Sequence, residues 1–85
     1  MNIAAIAETP HIHVTVKLFA SFRTGRNPIE VCVYPAGTTV AEVVAQLGIP
    51  VADLGIMLVS HRHVKLDRVL ADGEILAIFP LLGGG

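Results

Sequence analysis

Residues 29–50, IEVCVYPAGTTVAEVVAQLGIP, change their hydrophobic period halfway along. Ile29, Val31 and Val33 alternate with Glu30, Cys32 and Tyr34. That period of two marks a half-buried strand. Pro35-Ala36-Gly37 ends the run. Val40, Val43, Val44 and Leu47 then fall at i, i+3, i+4 and i+7, one stripe of a helix. Thr39, with Glu42 three residues on, predicts a capping box. Gly48 supplies a left-handed residue after the last turn, and Pro50 prevents continuation. Valines are poor helix formers, so this helix needs a sheet to pack on.

The sheet comes from both sides of this stretch. Upstream, from His13, Val14, Val16 and Leu18 alternate with Thr15, Lys17 and Phe19. Ser21 to Pro28, with Gly25 and Asn27, reads as a loop, so the first two strands form a hairpin. Residues 1–12 show no clean period and read as a flexible N-terminal extension. Downstream, Ile56–Ser60 reads as a third strand, His61-Arg62-His63 as a polar turn and Val64–Leu66 as a short fourth strand. Asp67–Ala71 is an irregular or short helical link, and Asp72-Gly73 is a turn. Ile75–Phe79 is the last strand, limited by Pro80. Residues 13–80 thus form one ββαβββ domain, and residues 81–85 a flexible tail. The class is α+β, a sheet with one helix packed on one face.

Composition bounds the function. A chain of 85 residues holds one small domain. With 53% hydrophobic and 15% charged residues it is not a disordered chain. A net charge of −1 offers no footprint for nucleic acid or an anionic membrane. Met1–Glu8 lacks the basic start of a secretory signal, and its apolar run stops at Glu8. No apolar stretch approaches the ~18–20 residues of a membrane span. Cys32 stands alone, so no internal disulfide forms, consistent with a reducing compartment. The expectation is a cytoplasmic protein.

If Val14, Val16, Leu18, Ile29, Val31 and Val33 point to the helix, then Leu76 and Ile78 point there too. Phe19, Cys32, Tyr34, Ile75, Ala77 and Phe79 are left on the opposite face, with no helix to cover them. An uncovered apolar face marks a partner surface. Two other readings stay open. Residues 1–12, through Ile3 and Ile6, fold back over the face; or one strand is slipped by a residue, which inverts its faces.

Side-chain chemistry is sparse. His11-x-His13 and His61-x-His63 could each put two imidazoles on one strand face, but no zinc spacing is completed. The expectation is no metal. Cys32 lies between valines with no nearby base, a packed or interface cysteine rather than a nucleophile. Gly25, Gly37, Gly48, Gly55 and Gly73 are scattered and form no phosphate loop. Arg23 and Arg26 share one loop.

The end of the chain is different. After Pro80 come Leu81-Leu82 and Gly83-Gly84-Gly85. Pro80 has no N–H, so strand pairing is expected to fail soon after Phe79. Glycine lacks a Cβ, so such a tail enters a channel closed to other residues. Frayed terminal glycines are the ordinary alternative.

Four segments stand out together: Lys17-Leu18-Phe19-Ala20 leading to Arg23, Thr39-Val40-Ala41-Glu42 at the helix start, Leu70-Ala71-Asp72-Gly73-Glu74, and Ile78-Phe79-Pro80-Leu81-Leu82-Gly83-Gly84-Gly85. In this order they resemble the MoaD/ThiS family of ubiquitin-like β-grasp sulfur carriers. The resemblance covers roughly residues 13–85. It departs at Val59-Ser60-His61, where the family often has Val-Asn-Gly, and at Leu81, where it has a second proline.

The resemblance implies a protein cosubstrate and not an enzyme. An E1-like adenylating partner of the MoeB/ThiF type would spend ATP on the Gly85 carboxylate, and sulfur would follow to give a thiocarboxylate. Gly83 and Gly84 would give access. Phe19, Arg23, Tyr34, Ile75, Phe79, Leu81 and Leu82 would dock the partner. The carrier would bind no cofactor of its own. The acceptor would be the large subunit of molybdopterin synthase, as Phe79-Pro80 and the chain length suggest, or thiazole synthase. A ubiquitin-like protein modifier and a plain interaction module are the alternatives.

Overall fold

The computed structural model describes residues 10–82; residues 1–9 and the tail glycines Gly83, Gly84 and Gly85 lie outside the described residues. The chain runs β1 (His11–Leu18), β2 (Ile29–Pro35), α1 (Val40–Gln46), β3 (Leu54–Val59), β4 (Arg62–His63) and β5 (Ile75–Pro80). Short 3₁₀ turns occupy Ala20–Arg23 and Val51–Asp53. The strands form one sheet in the order β2-β1-β5-β3-β4. Only β1 and β5 run parallel; the other neighbours are antiparallel. This is the ββαβββ order and the α+β class expected.

The helix forms as its sequence requires. The Thr39 hydroxyl accepts from the Glu42 N–H at 3.3 Å, and the Glu42 carboxylate accepts from the Thr39 N–H at 2.9 Å. The next two N–H groups are also satisfied. Val40 donates to Arg68 O at 3.0 Å and Ala41 to Leu66 O at 2.9 Å. The link before β5 thereby seals the helix N-terminus, whose donors have no partners within the helix. Gly48 takes φ +73° after the last turn. Val40, Val43 and Val44 are buried against Val14, Val16, Leu18, Val59, Leu76 and Ile78.

The structure differs from the sequence reading in three places. β1 starts at His11, so part of the supposed extension is core: Ile12 is buried and lies opposite Tyr34. The third strand starts at Leu54, and β4 is Arg62–His63 rather than Val64–Leu66. Ser60 and His61 both have positive φ, +51° and +67°, the signature of a tight two-residue hairpin turn.

The third difference inverts β2. Val14 lies opposite Cys32 and Val16 opposite Glu30. Residues directly opposite in a ladder share a face, so Glu30, Cys32 and Tyr34 turn to the α1 side. Ile29, Val31 and Val33 turn away and are 62%, 62% and 57% exposed. Both faces of this strand are apolar, so periodicity leaves their sense open, and the register set by the preceding loop decides it.

Candidate functional site: the open sheet face and the exit of β5

The face away from α1 is apolar, as expected, with altered membership. Thr15 pairs with Ile75 and Lys17 with Ala77. Leu58 lies on the far side of Ala77. Phe19, just past β1, stacks on Phe79 with ring centroids 4.1 Å apart and planes 9° apart. Phe19, Phe79, Ile75, Ala77, Leu58 and His61 line a hollow of about 240 Å³. Arg23 is exposed at the end of its 3₁₀ turn and lines a neighbouring hollow with Lys17, Phe19 and Ile29. Phe19, Arg23, Ile75 and Phe79 thus come together on one side.

Tyr34 does not join them. It is buried on the α1 side at 5% exposure, so its expected docking role is corrected. Burial, followed by a hydrogen bond with Cys32, pushes its phenol well above the usual range. Cys32 is half-buried on that same inner side.

β5 ends beside this face. Pairing ends soon after Phe79, as expected, but it passes through Pro80 on the way. Pro80 lies opposite Leu54, and Leu81 N–H donates to Asp53 O at 2.8 Å. Proline lacks only a donor, and the register here asks none of it. The ladder bends between Leu54 and Met57. At that bend a Cβ on Gly55 would run into the Pro80 carbonyl. Gly55 is therefore a close-approach glycine rather than a turn residue, a role that a glycine inside a strand can signal. Leu81 and Leu82 leave the sheet 59% and 75% exposed. The expected roles of Gly83, Gly84 and Gly85 lie outside the described residues. Sequence reasoning missed Gly55, Asp53 and Leu58 as site residues.

The carboxylates nearby are engaged in structure. The Asp72 carboxylate accepts from the His13 N–H at 2.7 Å, which holds its pKa below the usual carboxylate range. Glu74 takes two bonds from Arg68, at 3.0 and 2.7 Å, and one from Ala71 N–H at 2.7 Å. The Arg68 bonds lower its pKa. Together they pin the turn that starts β5 to β1 and to the preceding link. Among the described residues, no cluster of three or more metal-ligating side chains forms, and no helix is long and apolar enough to cross a membrane.

Comparison with known proteins adds lineage. The profile of the ThiS family matches residues 16–85. Among curated proteins no sequence matches. A Pyrococcus furiosus protein described as a candidate molybdopterin converting factor, subunit 1, is similar in structure. It has a TM-score of 0.68 and 27% identity over 81% of this chain and 97% of that one. Small archaeal modifier protein 1 of Haloferax volcanii has a TM-score of 0.67 at 21% identity, over 81% and 97% of the two chains. The C-terminal ubiquitin-like domain of mouse tubulin-specific chaperone e has a TM-score of 0.53 at 18% identity, over 86% and 89%. The last two likenesses are of fold, a ubiquitin-like β-grasp.

Proposed function

The chain belongs to the ThiS family, and from that premise we propose that it is a sulfur carrier acting through its C-terminal glycine. Proteins of this family are small non-catalytic carriers. One observation carries the reading: the Phe19–Phe79 stack lies at the end of β5, and only Pro80, Leu81 and Leu82 separate Phe79 from the glycine run in the sequence, so docking and delivery share one strand. An E1-like partner of the MoeB/ThiF type binds the face. The Gly85 carboxylate attacks the α-phosphate of ATP, releasing pyrophosphate and forming an acyl-adenylate. A sulfur nucleophile then displaces AMP, and the tail ends as a thiocarboxylate. Three residues without Cβ let that group reach a buried reaction centre. The carrier contributes no catalytic side chain and no bound cofactor.

The thiocarboxylate gives its sulfur to a small-molecule precursor within a larger partner subunit. Molybdopterin formation is the favoured acceptor reaction, supported by Phe79-Pro80 and by the Pyrococcus furiosus relative. Thiazole synthase is the other acceptor. This reading places the protein in the cytoplasm, in line with its lone cysteine. The fold it shares with an archaeal modifier keeps a second reading, attachment of Gly85 to lysine amines.

Intact mass after incubation with ATP, a sulfur source and an E1-like enzyme tests this. Replacement of one oxygen by sulfur at Gly85 is expected, and an isopeptide adduct points to the modifier instead. Deleting Gly84-Gly85 abolishes either product; activation that survives the deletion sinks both readings. Phe79→Asp is expected to abolish activation while the circular dichroism stays that of the parent.

A further inference from the structure

A second apolar surface adjoins this site at Ile29 and runs away from it along β2. Ile29, Val31 and Val33 form a stripe on β2, separated from Ile75, Ala77 and Phe79 by the outward residues of β1, His13, Thr15 and Lys17. β2 is an edge strand, and among the described residues nothing pairs with its outer side. The hydrogen bonds fix which groups are free. Leu18 N–H donates to Pro28 O at 2.8 Å and Ala36 N–H to Pro10 O at 3.1 Å. Bonded pairs alternate along an antiparallel ladder, so Glu30, Cys32 and Tyr34 bond to β1. The N–H and C=O groups of Ile29, Val31 and Val33 point outward, with the Pro35 carbonyl beside them.

Edges are usually guarded by an outward lysine, a central proline or a bulge. This one has none of these between Pro28 and Pro35, and its only charge, Glu30, lies on the α1 face. On that face a cleft of about 540 Å³ beside Glu30, Cys32, Gln46 and Leu47 leaves the edge open.

We infer that β2 pairs antiparallel with β2 of a second copy of this chain, joining two sheets across a twofold axis. Such an interface is isologous and therefore must be self-complementary. The β2 segment meets that requirement. Centring on Cys32 sets Val31 opposite Val33 of the partner subunit and Ile29 opposite Pro35 of the partner subunit. Every outward donor then finds an outward carbonyl. Centring on Val31 would also satisfy the donors, but it makes the two Glu30 side chains diagonal neighbours, about 7–8 Å apart. Centring on Cys32 moves them a further two residues apart along the strands. The charge pattern therefore selects the Cys32 register. There the two cysteines form the close, non-hydrogen-bonded pair, with Cα atoms about 4.5 Å apart, within disulfide reach.

The full chain is tested by sedimentation equilibrium up to millimolar concentration. Diamide is then added, which takes up two electrons and two protons as two thiols join. A dimer that diamide converts to a Cys32-linked species is the expected result. Val31→Pro removes an outward donor without touching a bond to β1 and is expected to weaken dimerisation by at least about tenfold. The double variant Val31→Lys, Val33→Lys changes only exposed positions and sets like charges opposite each other. It is expected to be monomeric with an unchanged circular dichroism spectrum. A parent chain that stays monomeric at millimolar concentration overturns the inference, as does a dimer that survives both variants. A dimer that diamide does not link overturns the Cys32 register.

Discussion

β2 and β5 flank β1, have similar length and alternate similar aliphatic residues, yet they are used in opposite ways. In β5 the inward residues Leu76 and Ile78 are fully buried, and their sense follows directly from the sequence. In β2 the three β-branched residues face out, and a cysteine, a tyrosine and a glutamate face in. The difference lies in position. β5 is central, with strands on both sides, and α1 packs on its inner face. β2 is at the edge, where the helix reaches only part of its inner side and a cleft opens. Hydrophobicity there reports the capacity to be buried, and the register determines which side is covered.

The largest expected effects test the inward sets. Tyr34→Ala should lower stability by about 3–5 kcal/mol and Leu76→Ala by about 2–5 kcal/mol, read from urea unfolding. A negligible loss at Tyr34 would mean that β2 faces the other way. Next comes the turn that starts β5. Asp72 and Glu74 have folded pKa values below their ordinary ones, 3.8 and 4.5. Their contribution is full above those ordinary values and drains away as pH falls through the lowered ones. Unfolding midpoints should therefore drop below about pH 4, and Glu74→Gln should flatten that drop. The smallest effect belongs to the outward set. Val33→Ala should change monomer stability by no more than about 0.5 kcal/mol, measured at low protein concentration. A loss as large as that at Tyr34 would erase the distinction between the two faces.

Much of the fold is legible because it rests on local signals. The Thr39–Glu42 box, the valine stripe and Gly48 each act within a few residues, and α1 forms where they say. The candidate site is legible in part. Phe19, Ile75 and Phe79 are outward because β1 and β5 have unambiguous inner faces. Tyr34 was misplaced because β2 has two apolar faces. Gly55 and Asp53 were missed because their role depends on the backbone of Pro80 and Leu81, some 25 residues away in sequence.

The sequence by itself determined the number and order of elements, the helix and its caps, and a run of three glycines after the last strand. Those properties depend on period, capping and backbone freedom, which are local. Tertiary structure alone decided the sense of β2, the continuation of pairing through Pro80 to Leu81, and the division of the open surface into two apolar areas. Each of these depends on which strand lies opposite which and in what register. The free energy that sets register comes from contacts between residues far apart in the chain.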